Sequence, residues 1–95
     1  MDLEKFKNDI SRICSESGVS RLAVFGSVAR GSDSDDSDVD LIVEFKEPAG
    51  LVKLLKLERR FEDVFRRKVD LGTEASLHPL IRSQVENDLK LLYED

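Results

Sequence analysis

The chain has one cysteine, Cys14, which excludes an internal disulfide and a cysteine-rich zinc site. It has no apolar run of the ~18 residues that a membrane span needs, and no basic stretch leading into an apolar one near its start. Neither a membrane segment nor a secretory leader is expected, and the cytoplasm is the expected compartment. A basic surplus is missing too. The 15 Lys and Arg against 20 Asp and Glu leave a formal net charge of -5, whereas a dedicated nucleic-acid binder carries an excess of positive charge. Direct nucleic-acid contact is therefore not expected, although a local basic surface is compatible with that total. Internal repeats, linkers and low-complexity stretches are absent apart from a short serine–aspartate loop. What is present is a 95-residue chain, 40% apolar and 37% charged, the balance of a single folded domain (1–95) with one modest core.

Apolar spacing gives the elements. Leu3, Phe6, Ile10, Ile13 and Cys14 recur at helical intervals and predict an amphipathic helix over Asp2–Glu16, with Gly18 as its stop and Cys14 in the core. "RLAVFG" (Arg21–Gly26) reads as a short buried strand. Ser27 is the expected N-cap of one helical turn through Arg30, closed by Gly31. "SDSDDS" (Ser32–Ser37) has loop chemistry, so Asp33, Asp35 and Asp36 read as solvated turn residues. "DVDLIVEF" (Asp38–Phe45) is a second strand. The spacing of Leu54, Leu57, Phe61, Val64 and Phe65 predicts a long helix from Leu51 to about Lys68. Its many charges (Lys53, Lys56, Arg59, Arg60, Arg66, Arg67 and Lys68 among Glu58, Glu62 and Asp63) read as a solvated face with i,i+4 ion pairs. "KVDLGT" (Lys68–Thr73) is a third strand. Leu77, Ile81, Val85, Leu89 and Leu92 predict a C-terminal helix that starts near His78–Pro79, with His78 as a helix-start residue. The order α-β-(short α)-β-α-β-α describes an α/β domain, a small sheet covered by helices.

The second strand poses a question, because aspartate is a poor strand former. Residues i and i+2 share a face and lie roughly 7 Å apart, so Asp38 and Asp40 project together while Val39, Leu41 and Val43 turn to the core. Two carboxylates held that close repel each other and are stabilised by a shared cation. Hard oxygen ligands select Mg²⁺ or Mn²⁺. Asp70, on the polar face of the third strand, is the third candidate. Three carboxylates around a metal pair suit in-line phosphoryl or nucleotidyl displacement. Gly26 and Ser27 supply the complement, where a strand gives way to a helical turn: outward backbone N–H groups, room for a phosphate to approach and a hydroxyl donor. A calcium loop counted from Asp36 places acids at the first, third and fifth positions and Glu47 at the twelfth. It is excluded by Leu41 where a glycine is required and by the strand it would have to absorb.

The stretch "GSVARGSDSDDSDVD", Gly-Ser, ten residues, then Asp-x-Asp, resembles the active-site motif of the nucleotidyltransferase superfamily that includes DNA polymerase beta. With "RLAVFGSVARG", "SDVDLIVEF", "VDLGT" and "LHPLIRSQVENDLKLLYED" in order, nearly the whole chain is similar to the minimal nucleotidyltransferase proteins found beside HEPN-domain partners as toxin–antitoxin pairs. The resemblance implies a small mixed β-sheet covered by helices, the polymerase beta-like fold in minimal form. It implies that Gly26 and Ser27 bind the triphosphate of ATP, and that Asp38, Asp40 and Asp70 hold two Mg²⁺ ions and act in catalysis, Asp70 assisting the nucleophile. Arg30 matches a basic position of the motif and would contact phosphate. It further implies transfer of AMP to a tyrosine of a HEPN RNase toxin, in a hetero-oligomer of a type VII-like pair. Two other readings stay open: an antitoxin that neutralises by binding alone, and a nucleotidyltransferase for a small molecule or an RNA end. The chain's shortness counts against the latter, since larger relatives use an extra domain to hold the acceptor.

Overall fold

A computed structural model describes residues 1–73 and 89–95. A 3-10 turn (Leu3–Phe6) leads into α1 (Lys7–Glu16), followed by β1 (Val19–Phe25), α2 (Gly26–Arg30), β2 (Val39–Phe45), α3 (Leu51–Phe65), β3 (Val69–Gly72) and β4 (Lys90–Glu94). The strands form one mixed sheet in the order β3-β2-β1-β4. β1 is antiparallel to β2 and β4, whereas β2 and β3 are parallel, with α3 as the crossover that parallel neighbours require.

Alternation along the strands decides which side is dry. Val39, Leu41 and Val43 are buried, as are their cross-strand neighbours Leu22 and Val24 and, from β3, Val69 and Leu71. Against this face α1 lays Ile10, Ile13 and Cys14, and α3 lays Leu57, Phe61 and Phe65. Phe65 stacks on Phe61 with ring centroids 5.6 Å apart and meets the edge of Phe6 at 5.2 Å. Cys14 is fully buried, and burial pushes its thiol up to about 12, so it is a core hydrophobe without nucleophilic character.

Three expectations are corrected here. The first helix begins as a 3-10 turn, so Leu3 and Phe6 lie before α1 rather than inside it. The long helix stops at Phe65, short of Lys68. Arg66 takes a left-handed conformation (φ 56°, ψ 38°) with its N–H donating to the Glu62 carbonyl, which turns the chain toward β2. The C-terminal helix predicted over Leu77–Leu92 does not extend to its end. His78, Pro79, Ile81 and Val85 lie outside the described residues, but Lys90–Glu94 is a strand paired with β1. Its register sets Leu22 beside Tyr93 and Ala23 beside Leu91, and the Asp95 N–H donates to the Ser20 carbonyl. β1 offers a row of backbone groups on the side away from β2, and pairing with it overrides a leucine spacing that is ambiguous in a short apolar run.

The charges of α3 also have destinations that sequence proximity hides. Arg60 donates to Glu16 of α1 at 2.6 Å, and Lys53 lies 5.1 Å from the Phe45 ring centroid. Glu62 accepts the Val69 N–H at 3.1 Å and Glu58 accepts the Leu71 N–H at 3.2 Å. These two carboxylates satisfy backbone donors of β3, an edge strand that would otherwise present them unpaired. Glu58→Ala and Glu62→Ala should each lower stability by roughly 1–2 kcal/mol, while the Gln variants, which keep an acceptor oxygen, should lose less. Urea denaturation checks this, and equal losses for Ala and Gln would overturn it.

Candidate active site

The sheet order brings the polar residues to one end. β1 finishes where β2 and β3 start, so Phe25 pairs with Asp40 and Asp40 in turn pairs with Asp70. Asp38 precedes β2 by one residue and is exposed, Asp40 is half-buried, and Asp70 is exposed. All three lie opposite the dry face, as alternation requires.

Gly26 follows directly from β1 at φ +74° and opens α2. A Cβ placed there would sit 2.5 Å from Asp40 Oδ2. The glycine thus has a reason beyond phosphate approach, since the Asp40 carboxylate itself occupies the space a side chain would need. The expected N-cap is corrected: extended Phe25 (φ -138°, ψ -174°) precedes the helix, and Ser27 lies within it. The Ser27 carbonyl accepts the Ser32 N–H at 3.0 Å, which helps close the turn at left-handed Gly31. Arg30 ends α2 and is exposed.

Electrostatics ties these groups together. Asp40 titrates above the usual aspartate range, first because it is partly desolvated and then because Asp70 and Asp38 are close enough to repel its charge; Arg30 opposes the shift. Three hard carboxylates as a donor set suit Mg²⁺ or Mn²⁺ in preference to softer metals. Among the described residues no three acidic, His or Cys side chains stand close enough together to hold a metal ion as they are placed. The fit therefore rests on the donor chemistry, the shared face and the mutual repulsion. An open groove of ≈ 530 Å³ lies along α2, lined by Ile10, Val28, Arg30 and Leu91 among others. The three aspartates do not line it.

The serine–aspartate loop is less uniform than its composition implies. Asp35 and Asp36 are exposed turn residues. Asp33 is not: its side chain is 3% exposed and accepts from the Met1 amine at 3.0 and 3.1 Å and from Arg67 Nη1 at 2.8 Å. The amine, and after it Arg67, holds its carboxyl below the usual range. No local signal marks Asp33, because both partners are more than 30 residues away in sequence.

Comparison with known proteins bears on the family and the fold. The model of the nucleotidyltransferase domain family matches residues 3–92. A candidate protein adenylyltransferase of Methanocaldococcus jannaschii is 36% identical over 88 residues, 93% of this chain and 95% of the relative. The solved structure of a candidate minimal nucleotidyltransferase superposes with a TM-score of 0.79 at 36% identity, covering 95% of each chain. A complex of tri-AMPylated Shewanella oneidensis HEPN toxin with MNT antitoxin contains a chain of the same fold, with a TM-score of 0.73 at 18% identity, covering 98% of this chain and 73% of that one.

Proposed function

Because the chain belongs to the nucleotidyltransferase domain family, we propose that it is an antitoxin that transfers AMP from ATP to a tyrosine hydroxyl of a HEPN RNase toxin. The carrying observation is the half-buried Asp40 carboxylate, lodged against Gly26 and repelled by Asp38 and Asp70. A cluster that disfavours its own charge is organised for a cation and the polyanion it brings.

In this reading Gly26 and Ser27 receive the triphosphate at the turn after β1, and Arg30 adds positive charge to the phosphates. Asp38, Asp40 and Asp70 would hold Mg²⁺, which would supply Lewis-acid polarisation of the α-phosphate and offset charge on the entering and leaving oxygens. Asp70, exposed on β3, is the carboxylate assigned to assist the acceptor hydroxyl and take up its proton. The nucleophile attacks phosphorus in line and pyrophosphate leaves; placement and electrostatics, rather than covalent chemistry by the protein, carry the rate. A protein acceptor is supported by the relative named a protein adenylyltransferase and by the AMPylated HEPN toxin in the structural neighbour. It also agrees with the apolar strip that Leu51, Val52 and Leu55 leave 68, 67 and 52% exposed on α3, a surface more typical of a binding face than of a solitary monomer.

Intact-mass spectrometry of the co-expressed HEPN partner, incubated with ATP and Mg²⁺, tests the proposal. Whole AMP units should be added by the wild type and not by the Asp38→Asn, Asp40→Asn double variant. A partner silenced without any mass gain would assign neutralisation to binding alone. AMP found only on RNA ends or small acceptors would replace the protein target.

A further inference from the structure

We propose that Arg67 and Asp33 form a positioning clamp that holds Asp38 and the strand carrying Asp40 in fixed relation to the strand carrying Asp70. The inference rests on the reading of those three aspartates as metal ligands. Asp33 lies in the loop that enters β2, and Arg67 lies in the turn that enters β3. Arg67 Nη1 donates to Asp33 Oδ2 and to the Ser34 carbonyl, both at 2.8 Å, and its Nη2 lies 3.9 Å from Asp35. The two side chains are 13% and 3% exposed, so the pair is shielded from the screening that makes surface ion pairs weak.

Between this pair and the aspartates lies one main-chain bond, Val39 N–H to the Lys68 carbonyl at 2.9 Å. Beyond it the strands pair for four residues only, Val39–Ile42 against Val69–Gly72, and β3 is the edge of the sheet. Asp40 and Asp70 are register partners across this pair, so like charges oppose each other over a short ladder. A charge-assisted bond at the entry to both strands is well placed to oppose that repulsion. Arg66, the left-handed cap of α3 and the single non-glycine residue at positive φ among those described, precedes Arg67 directly and sets where it starts. A residue held in this sparsely populated region is retained where the surrounding structure has a use for it.

Arginine is required by the geometry. Its planar fork serves the Asp33 carboxylate and the Ser34 carbonyl together, whereas lysine carries the charge on a single point. Neither residue touches the reacting groups; both act through the relative placement of the aspartates.

Mn²⁺ binding, read from the electron paramagnetic resonance of the free ion, tests the clamp with the full chain and without any acceptor. Arg67→Ala should bind Mn²⁺ about tenfold more weakly than wild type, alone and with ATP present, and Asp33→Asn should follow it. Arg67→Lys should recover part of the loss. Thermal unfolding of the same samples should remain cooperative, which separates misplacement from unfolding. In AMP transfer, kcat should fall more than the KM for ATP rises, because ligand placement matters most in the transition state. If wild type binds Mn²⁺ and the folded Arg67→Ala or Arg67→Lys variants match its affinity, the clamp is overturned and the metal site stands. If wild type binds no Mn²⁺ with or without ATP, the metal-site reading falls and the clamp with it.

Discussion

Asp40→Asn is expected to abolish AMP transfer and at the same time to make the metal-free protein more stable. On the proposed mechanism the change removes a charged metal ligand at the reacting phosphate, where cation stabilisation is worth several kcal/mol, so the loss should be at least about 10³-fold. The stability effect has the opposite sign. Burial and the charges of Asp70 and Asp38 raise the Asp40 carboxyl above its ordinary range in the fold. A carboxylate raised in this way contributes stability below the unfolded aspartate pKa and loses it as pH climbs through the folded one. At neutral pH in EDTA the wild type therefore carries an uncompensated repulsion that asparagine removes. The gain in Tm should be largest at neutral pH and shrink as pH falls into the ordinary aspartate range. Mg²⁺ should raise the Tm of wild type by mass action and leave the variant unchanged. A variant less stable than wild type in EDTA at neutral pH would show that Asp40 is not part of a strained anionic cluster.

Gly26→Ala should be the most damaging change outside the carboxylates, and Gly31→Ala is its internal control. Both glycines have φ +74°, so both alanines incur the left-handed penalty of roughly 1–2 kcal/mol. They differ in what a methyl meets: at Gly31 nothing lies within 4 Å, whereas at Gly26 the Asp40 carboxylate oxygen is 2.5 Å away. Alanine at position 26 must displace either the turn or the ligand, and an ångström of misplacement at a reacting centre lowers rates by about 10²-fold. Comparable unfolding curves with a rate defect confined to Gly26→Ala would support this. Equal rate losses for the two would mean that backbone strain, and not the contact with Asp40, accounts for the glycine.

Much of this site was legible because its chemistry is local. An aspartate pair at i and i+2 shares a face in any strand, and a glycine ending an apolar run is a turn whatever surrounds it. Val39, Leu41 and Val43 had to face inward once Asp38 and Asp40 faced out, and the sheet keeps that assignment. The errors fall where a distant partner outweighs the local preference. "LKLLYE" has leucines at helical intervals, yet β1 takes Lys90–Glu94 as its neighbour. Asp33 shares its loop and composition with Asp35 and Asp36, yet it alone is enclosed, by Met1 and Arg67. Glu58 and Glu62 have the spacing of a solvated helix face, yet they bond the backbone of β3.

The sequence by itself determined the short-range geometry around the candidate site residues, since side-chain alternation, positive φ and apolar period depend on a few neighbouring bonds. Only the tertiary structure decided that Asp70 stands beside Asp40, that Gly26 is closed by a carboxylate and that Arg67 reaches Asp33. Those relations join residues 14 to 34 positions apart. They arise from strand order and register, which are set by burying the whole apolar face at once and not by the preference of any one segment.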